Sequence, residues 1–353
     1  VVAGETGFDL AQQEKQHTID ELARWVKQQL PASEAAVEAW QPLGGDAGFR
    51  NYFRLGEQSG LMAVWSPPKT EKNREFVAIA GYLRLQGIHT PDIRAYDPVR
   101  GFMVVEDLGE QLLLDLLTDK TVENYYQQAL DVLVRLQRCP PENTIFKAYD
   151  RQELLRELNL FTEWFVPKLL GHSLDEAEEK LLAHTFDLLC DSALEQTQVI
   201  VHRDFHSRNL VYCEHSPLGV IDFQDAVQGP VTYDLVSLLR DCYIQWPAEQ
   251  VEHWAQDYRA RAVDAGILSA VDDETFIRWF DWMGLQRHIK VLGIFARLYL
   301  RDGKAGYLQD LPLVIHYTRS VASKYPQLKA FTDWFDQRLM PRIYQQDWMS
   351  QGD

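Results

Sequence analysis

The sequence predicts an α+β chain in two lobes, a small antiparallel-sheet lobe followed by a larger, mostly helical one. Three observations predict it. Between Trp40 and Glu106, short apolar runs bounded by Gly and Pro surround a single helical period. After Asp107-Leu108-Gly109 the periodicity turns helical almost throughout. At 353 residues the chain is also too long for one compact core.

Taken in order, residues 1–16 read as an extension outside the fold. Glu5 and Asp9 interrupt any apolar leader there, which excludes a secretory signal. Residues 17–30 place Ile19, Leu22, Val26 and Leu30 at helical spacing, stopped by Pro31. A Gly-rich turn at Gly44–Gly48 precedes strands at Tyr52–Leu55 and Leu61–Trp65, the second ended by Pro67-Pro68. A helix over Glu71–Leu85 aligns Phe76, Ile79, Ala80 and Leu83 on one side. Strands at Ile93–Tyr96 and Phe102–Glu106 complete the first lobe, 17–106. The second lobe, 107–353, opens with helices at 123–138, 151–165 and 175–195. A short β interlude follows at Val199–Val201, Leu210–Tyr212 and Gly219–Phe223, and helices then run to the end.

Composition narrows the function. Hydrophobic content of 46% and charged content of 25% are ordinary for a globular protein. No window reaches about 18 uninterrupted apolar residues, so no membrane span is expected. Cys139, Cys190, Cys213 and Cys242 are far apart and form no CxxC pair, which suits a reducing cytoplasm. A net charge of −17 argues against nucleic acid, whose phosphates need a basic face.

The chemistry concentrates in Val201-His202-Arg203-Asp204-Phe205-His206-Ser207-Arg208-Asn209, an H-R-D-x-x-x-x-N run. A strand end would present Asp204 to orient and deprotonate an attacking hydroxyl, and Asn209 would return to offer an amide oxygen to a metal. Read blandly, the same run is a polar loop between strands. Val220-Ile221-Asp222-Phe223 weighs against that, because a lone carboxylate closing an apolar run needs a partner. Mg²⁺ shared with phosphate oxygens is the natural one. Asp225 either aids the site or caps the turn. Gly229-Pro230 reads as a turn into a helix in which Asp234 precedes an apolar face, favoured there by the helix dipole. An acidic chain can still bind ATP, because local cations, backbone amides and Mg²⁺ do the binding.

The runs HRDFHSRN, IDFQDA and GPVTYDLVSLLRDCY resemble the aminoglycoside-phosphotransferase-like superfamily, which has the protein-kinase-like two-lobed fold and also holds choline and homoserine kinases. LGGDAGFRNYFR, NREFVAIAGYLR and GIHTPDI extend the resemblance toward bacterial anomeric sugar kinases acting on N-acetylmuramate and N-acetylglucosamine at C1, in cell-wall recycling toward UDP-N-acetylmuramate. The resemblance implies an ATP- and Mg²⁺-dependent kinase of a small amino-sugar substrate, read as a monomer. It implies Asp204 as base, Asn209 and Asp222 as Mg²⁺ ligands, and Asp234 bonding the catalytic-loop backbone, with His202 in a supporting role. Gly44, Gly45 and Gly48 fall where a turn covers the ATP phosphates, although a plain hairpin explains that run equally well. Glu106 to Leu108 falls at the adenine hinge. One departure stands out. The strand Leu61–Trp65 lacks the kinase lysine, leaving Arg50, Arg54 and Lys69 as candidate cations and Glu75 as their helix partner. An arginine would suit a lactyl carboxylate, and Arg203, Arg208 and Arg240 are near in sequence, although structural roles are commoner. The rival readings are an aminoglycoside, choline or homoserine phosphotransferase of the same fold, and a nucleotide-binding scaffold without turnover.

Overall fold

The computed structural model describes residues 5–31, 40–43, 49–56 and 59–349, with side chains from Gln13 onward. Its strands are β1 (Gln41–Leu43), β2 (Asn51–Arg54), β3 (Leu61–Trp65), β4 (Ile93–Asp97), β5 (Phe102–Glu106), β6 (Gln198–Val201), β7 (Leu210–Val211), β8 (Gly219–Val220) and β9 (Val227–Pro230). The chain divides into two compact units, Val1–Val122 with Arg208–Asp225, and Glu123–Ser207 with Ala226–Asp353. The boundary expected at 106/107 is continuous; this division is discontinuous and returns the β7–β8 segment to the first unit.

In the first unit, β1 to β5 form an antiparallel sheet of order β1-β2-β3-β5-β4. The alternation of Phe53, Leu55, Leu61, Ala63, Phe102 and Val104 turns one apolar face against Leu22, Trp25 and Val26 of α1 (Glu5–Gln29). This helix reaches back to Glu5, so the expected extension over 1–16 is corrected: most of it continues the helix begun by the apolar stripe. The helix α2 (Asn73–Leu85) buries Phe76, Ile79, Ala80 and Leu83 at the spacing read from the sequence, starting two residues later than expected. Strands β7 and β8 pair as a two-residue ribbon, Leu210 opposite Val220 and Val211 opposite Gly219. The strand expected over Gly219–Phe223 thus stops at Val220, because Asp222 adopts a left-handed φ of 62° that no ladder accommodates.

The second unit is built on helices α3 (Glu176–Leu194) and α4 (Asp273–Asp302), with β6 paired antiparallel to β9. Gly229 and Pro230 therefore close a strand rather than form a turn, and the helix α5 (Tyr233–Leu239), numbered after these two, starts after Thr232. A capping box of Asp175 and Glu178 starts α3, and Asp272 caps α4 by accepting from the Thr275 N–H at 2.8 Å. The helix expected over 151–165 is α-helical only to Leu160 and widens into a π-helix over Phe161–Leu169. Gly293 of α4 crosses at that junction, where a Cβ would lie 2.4 Å from the Leu160 carbonyl carbon. From Phe280 to Gly293 every residue of α4 is buried, so each polar side chain in that stretch needs a partner.

Candidate active site

Strand β6 delivers the catalytic-loop run at its C-terminal end. Asp234, fully buried on the first turn of α5, accepts the backbone N–H of His202 at 2.6 Å and of Arg203 at 3.0 Å. The Asp204 N–H donates to His202 Nδ1 at 3.3 Å, and Ser207 Oγ donates to Asp241 Oδ2 at 2.5 Å. Arg203 holds φ at 80°, a costly value for a non-glycine residue that this clamp sustains. Burial pushes the Asp234 carboxyl up to about 6, opposed by His202 and the two N–H bonds.

Asp204 behaves oppositely. Burial works against its charge, but Lys290, His206, Arg287 and Arg203 together hold its carboxyl down at about 2. The lysine and the two arginines among them are themselves fixed. Lys290 Nζ donates to Tyr233 Oη at 2.7 Å and pairs with Glu157 at 3.2 Å. Glu157 also takes Arg203 and the Tyr149 hydroxyl, and Arg287 donates to Ser237 Oγ at 2.7 Å. Burial lowers the His206 imidazole below its ordinary value, and its Nδ1 has no partner among the described residues. Asp204 is thus a carboxylate kept ionised within a buried, largely cationic surround.

In the first unit, the ribbon brings Asn209 and Asp222 to the same end, since the Ile221 N–H donates to the Asn209 carbonyl at 3.1 Å. Asp222 is exposed. Its Oδ1 accepts from Gln224 Nε2 at 2.7 Å, and Gln224 Oε1 accepts from Arg50 Nη1 at 3.1 Å. Phe223 turns inward and stacks on Phe76 of α2, with ring centroids 5.0 Å apart. Among the described residues no group of three or more His, Cys, Asp or Glu could hold a metal.

The remaining predicted residues separate by partner. Gly44, Gly45 and Gly48 lie outside the described residues. Glu75 is exposed on α2; the carboxylate that meets Arg50, at 3.4 Å, is Glu71, which lies just ahead of the helix. Arg54 is committed to Asp107 and Glu110. Of the residues expected at the adenine hinge, Glu106 accepts from Arg84 and from the Asp92 N–H, both at 3.0 Å, and the Leu108 carbonyl receives the Cys213 thiol at 3.5 Å. Asp225 pairs with Lys72. Within the second unit Arg203 pairs with Glu157 and Arg240 with Asp281 at 2.5 Å, while Arg203 Nε and Arg240 Nη1 are buried without a hydrogen-bond partner among the described residues. Arg208 is half-buried in the first unit.

Sequence reasoning missed Glu71, Gln224, Glu157, Arg287 and Lys290. A signal existed for the last two. Gln286-Arg287-His288-Ile289-Lys290 sets two permanent cations, Arg287 and Lys290, in a largely apolar stretch, where a buried charge needs a partner.

Residues 39–267 match the model of the phosphotransferase enzyme family APH. An N-acetylmuramate/N-acetylglucosamine kinase of Pseudomonas putida is 40% identical over 318 residues, covering 88% of this chain and 93% of that relative. One of Pseudomonas aeruginosa is 42% identical over 288 residues, covering 81% and 85%. Among solved structures, ADP-bound aminoglycoside phosphotransferase APH(2'')-Ib superposes with a TM-score of 0.59 at 13% identity, covering 85% of this chain and 98% of that one, a likeness of fold. The chain is an enzyme belonging to the APH phosphotransferase family, in its branch of N-acetylmuramate/N-acetylglucosamine kinases.

Proposed function

We propose that the chain transfers the γ-phosphoryl group of ATP to the C1 hydroxyl of N-acetylmuramate and N-acetylglucosamine, releasing ADP and the sugar 1-phosphate. The acceptor class rests on the relatives' name. The chemistry rests on one observation: Asp204 is a half-buried carboxylate held at about 2 against desolvation by Lys290, His206, Arg287 and Arg203. Such a group is always ionised at working pH but is a weak proton acceptor. It suits a loose phosphoryl-transfer transition state, in which the hydroxyl needs orienting first and loses its proton late. A hemiacetal hydroxyl is more acidic than an ordinary alcohol, which eases that loss.

In this reading the C1 oxygen bonds to the γ-phosphorus as the bond to the β–γ bridging oxygen breaks. Asp204 takes the hydroxyl proton, and ADP leaves with the electron pair. Asn209 and Asp222 offer one amide and one carboxylate oxygen from the same end of a ribbon. Two hard oxygen donors fit Mg²⁺ that completes its shell with water and phosphate. Bound there, Mg²⁺ supplies charge neutralisation on the phosphate oxygens. The Asp234 clamp keeps the backbone before Asp204 from moving, so orientation requires no reorganisation during the reaction.

The product belongs to the class of sugar 1-phosphates that a nucleotidyltransferase converts to UDP-sugars. That places the step in reuse of cell-wall amino sugars toward UDP-N-acetylmuramate, in the cytoplasm. Among the described residues no helix is long and apolar enough to cross a membrane.

The test is ³¹P NMR of the full chain with Mg·ATP and a panel of amino sugars, aminoglycosides, choline and homoserine. The expected product shows phosphate on C1 of the two N-acetylated sugars, and transfer to kanamycin alone would overturn the reading. Asp204→Asn should lower kcat by about 10³-fold with an unchanged fold. Near-normal turnover would remove Asp204 from the role.

A further inference from the structure

We propose that Arg50 is the cation that binds the phosphates of the nucleotide, in place of the lysine that β3 lacks. The proposal rests on the nucleotide-using reading above and assigns it a specific residue. Strand β3 is Leu-Met-Ala-Val-Trp and carries no charge. Of the other first-unit cations near it, Arg54 pairs with Asp107 and Glu110, Lys72 is exposed and pairs with Asp225, and Lys69 is exposed beyond the two prolines.

Arg50 differs from all of these. It precedes β2, and its side chain is only 7% exposed. Nε donates to Ser66 Oγ at 3.0 Å and faces Glu71 at 3.4 Å, while Nη1 donates to Gln224. The guanidinium lies 4.6 Å over the Phe76 ring. Two of its three nitrogens are thereby held, and the plane is fixed against a helix. The third, Nη2, is buried with no hydrogen-bond partner among the described residues. A buried charged donor without an acceptor is unfavourable, and an anion that supplies the acceptor is bound accordingly.

The position of that open donor identifies the anion. Gln224 bridges Arg50 to Asp222, so the unfilled edge of the guanidinium lies one side-chain amide away from a proposed Mg²⁺ ligand. A group that meets both a metal-binding carboxylate and a guanidinium fork is a phosphate of a nucleoside di- or triphosphate. Arg50 and Glu71 would then do the work of a kinase's strand lysine and helix glutamate.

The test is calorimetric titration of the full-length chain with ADP and with adenosine, with EDTA present so that Mg²⁺ does not contribute. Arg50→Met should raise the ADP Kd by about 30-fold or more and leave adenosine within about twofold. Arg50→Lys keeps the charge and loses the fork, and should weaken ADP by about five- to tenfold. It also provides the reading if Arg50→Met fails to fold. An ADP Kd within about threefold of wild type in both variants overturns the proposal, as does parallel weakening of ADP and adenosine. So does a defect that appears only when Mg²⁺ is present, since Arg50 would then act through Gln224 and Asp222 alone. A wild-type chain that binds ADP through Arg50 but transfers no phosphate to amino sugars would sink the proposed function and leave this assignment standing.

Discussion

Asp234 and His202 are joined by a 2.6 Å hydrogen bond from the His202 N–H to a fully buried carboxylate, which also takes the Arg203 N–H at 3.0 Å. One side chain thus sets the backbone that leads into Asp204. Burial raises the Asp234 carboxyl to about 6. Above that pH it is ionised and accepts both bonds; below it, the proton it gains removes acceptor capacity and loosens the loop.

Activity should therefore fall on the acid side with an apparent pKa near 6, although Asp204, held at about 2, stays ionised throughout. In Asp234→Asn one oxygen remains to serve two N–H groups, and the amide NH₂ turns a donor toward a donor. Losing one charge-assisted bond of roughly 1.5–3 kcal/mol predicts a kcat decrease of about 10- to 100-fold and no acid limb near pH 6. A wild-type pH profile that stays flat to pH 5 would refute the assignment.

Glu157 and Lys290 should show strong coupling. Glu157 is buried against Lys290, Arg203 and the Tyr149 hydroxyl. Burial disfavours its charge, yet Lys290 and Arg203 hold its carboxyl below the ordinary range. Glu157→Gln or Lys290→Met each strands a buried charge, at a cost of about 3–5 kcal/mol. The double variant should lose less than the sum by at least about 1 kcal/mol, read as Tm shifts in a double-mutant cycle. Additive losses would show that the pair does not act as a unit.

How much of this was legible in the sequence depends on how local the cause is. The strands β3 and β5 and the stripe of α2 follow from period and from Gly and Pro punctuation, and their residues stand where the pattern puts them. The strand end before Asp204 and the ribbon that joins Asn209 to Asp222 were legible because the apolar runs that form them are local. What was not legible is cross-chain. Lys290 reaches the Asp204 surround from α4, far along the sequence, and the acid that meets Arg50 is Glu71, ahead of the helix, while Glu75 on the helix is exposed. The short β8 escaped because the left-handed Asp222 is a tertiary choice that no propensity reports.

Asp222→Asn tests the proposed metal role separately from the fold. Asp222 is exposed and adopts a φ of 62°, which Asn tolerates better than other side chains. The substitution should therefore leave Tm unchanged and lower kcat by about 100-fold or more, with a raised Mg²⁺ requirement. Turnover measured against Mg²⁺ concentration decides it. An unaltered half-saturating Mg²⁺ level would take Asp222 out of the ligand set.

Gly293→Ala probes the scaffold behind Lys290. A Cβ at 293 would lie 2.4 Å from the Leu160 carbonyl carbon and 2.5 Å from the Phe161 nitrogen, both backbone atoms at the junction where the α-helix widens into the π-helix. Backbone cannot rotate aside as a side chain end can, so α4 must be pushed away from its neighbour. Overpacking of this kind costs about 1–3 kcal/mol and should appear as a clear drop in Tm. Lys290 lies three residues away on the same helix and pairs with Glu157, which stands just ahead of the clash. Displacing α4 should thus stretch that pair and lower kcat along with stability. A variant with wild-type Tm and turnover would mean that the crossing has more slack than its backbone spacing allows.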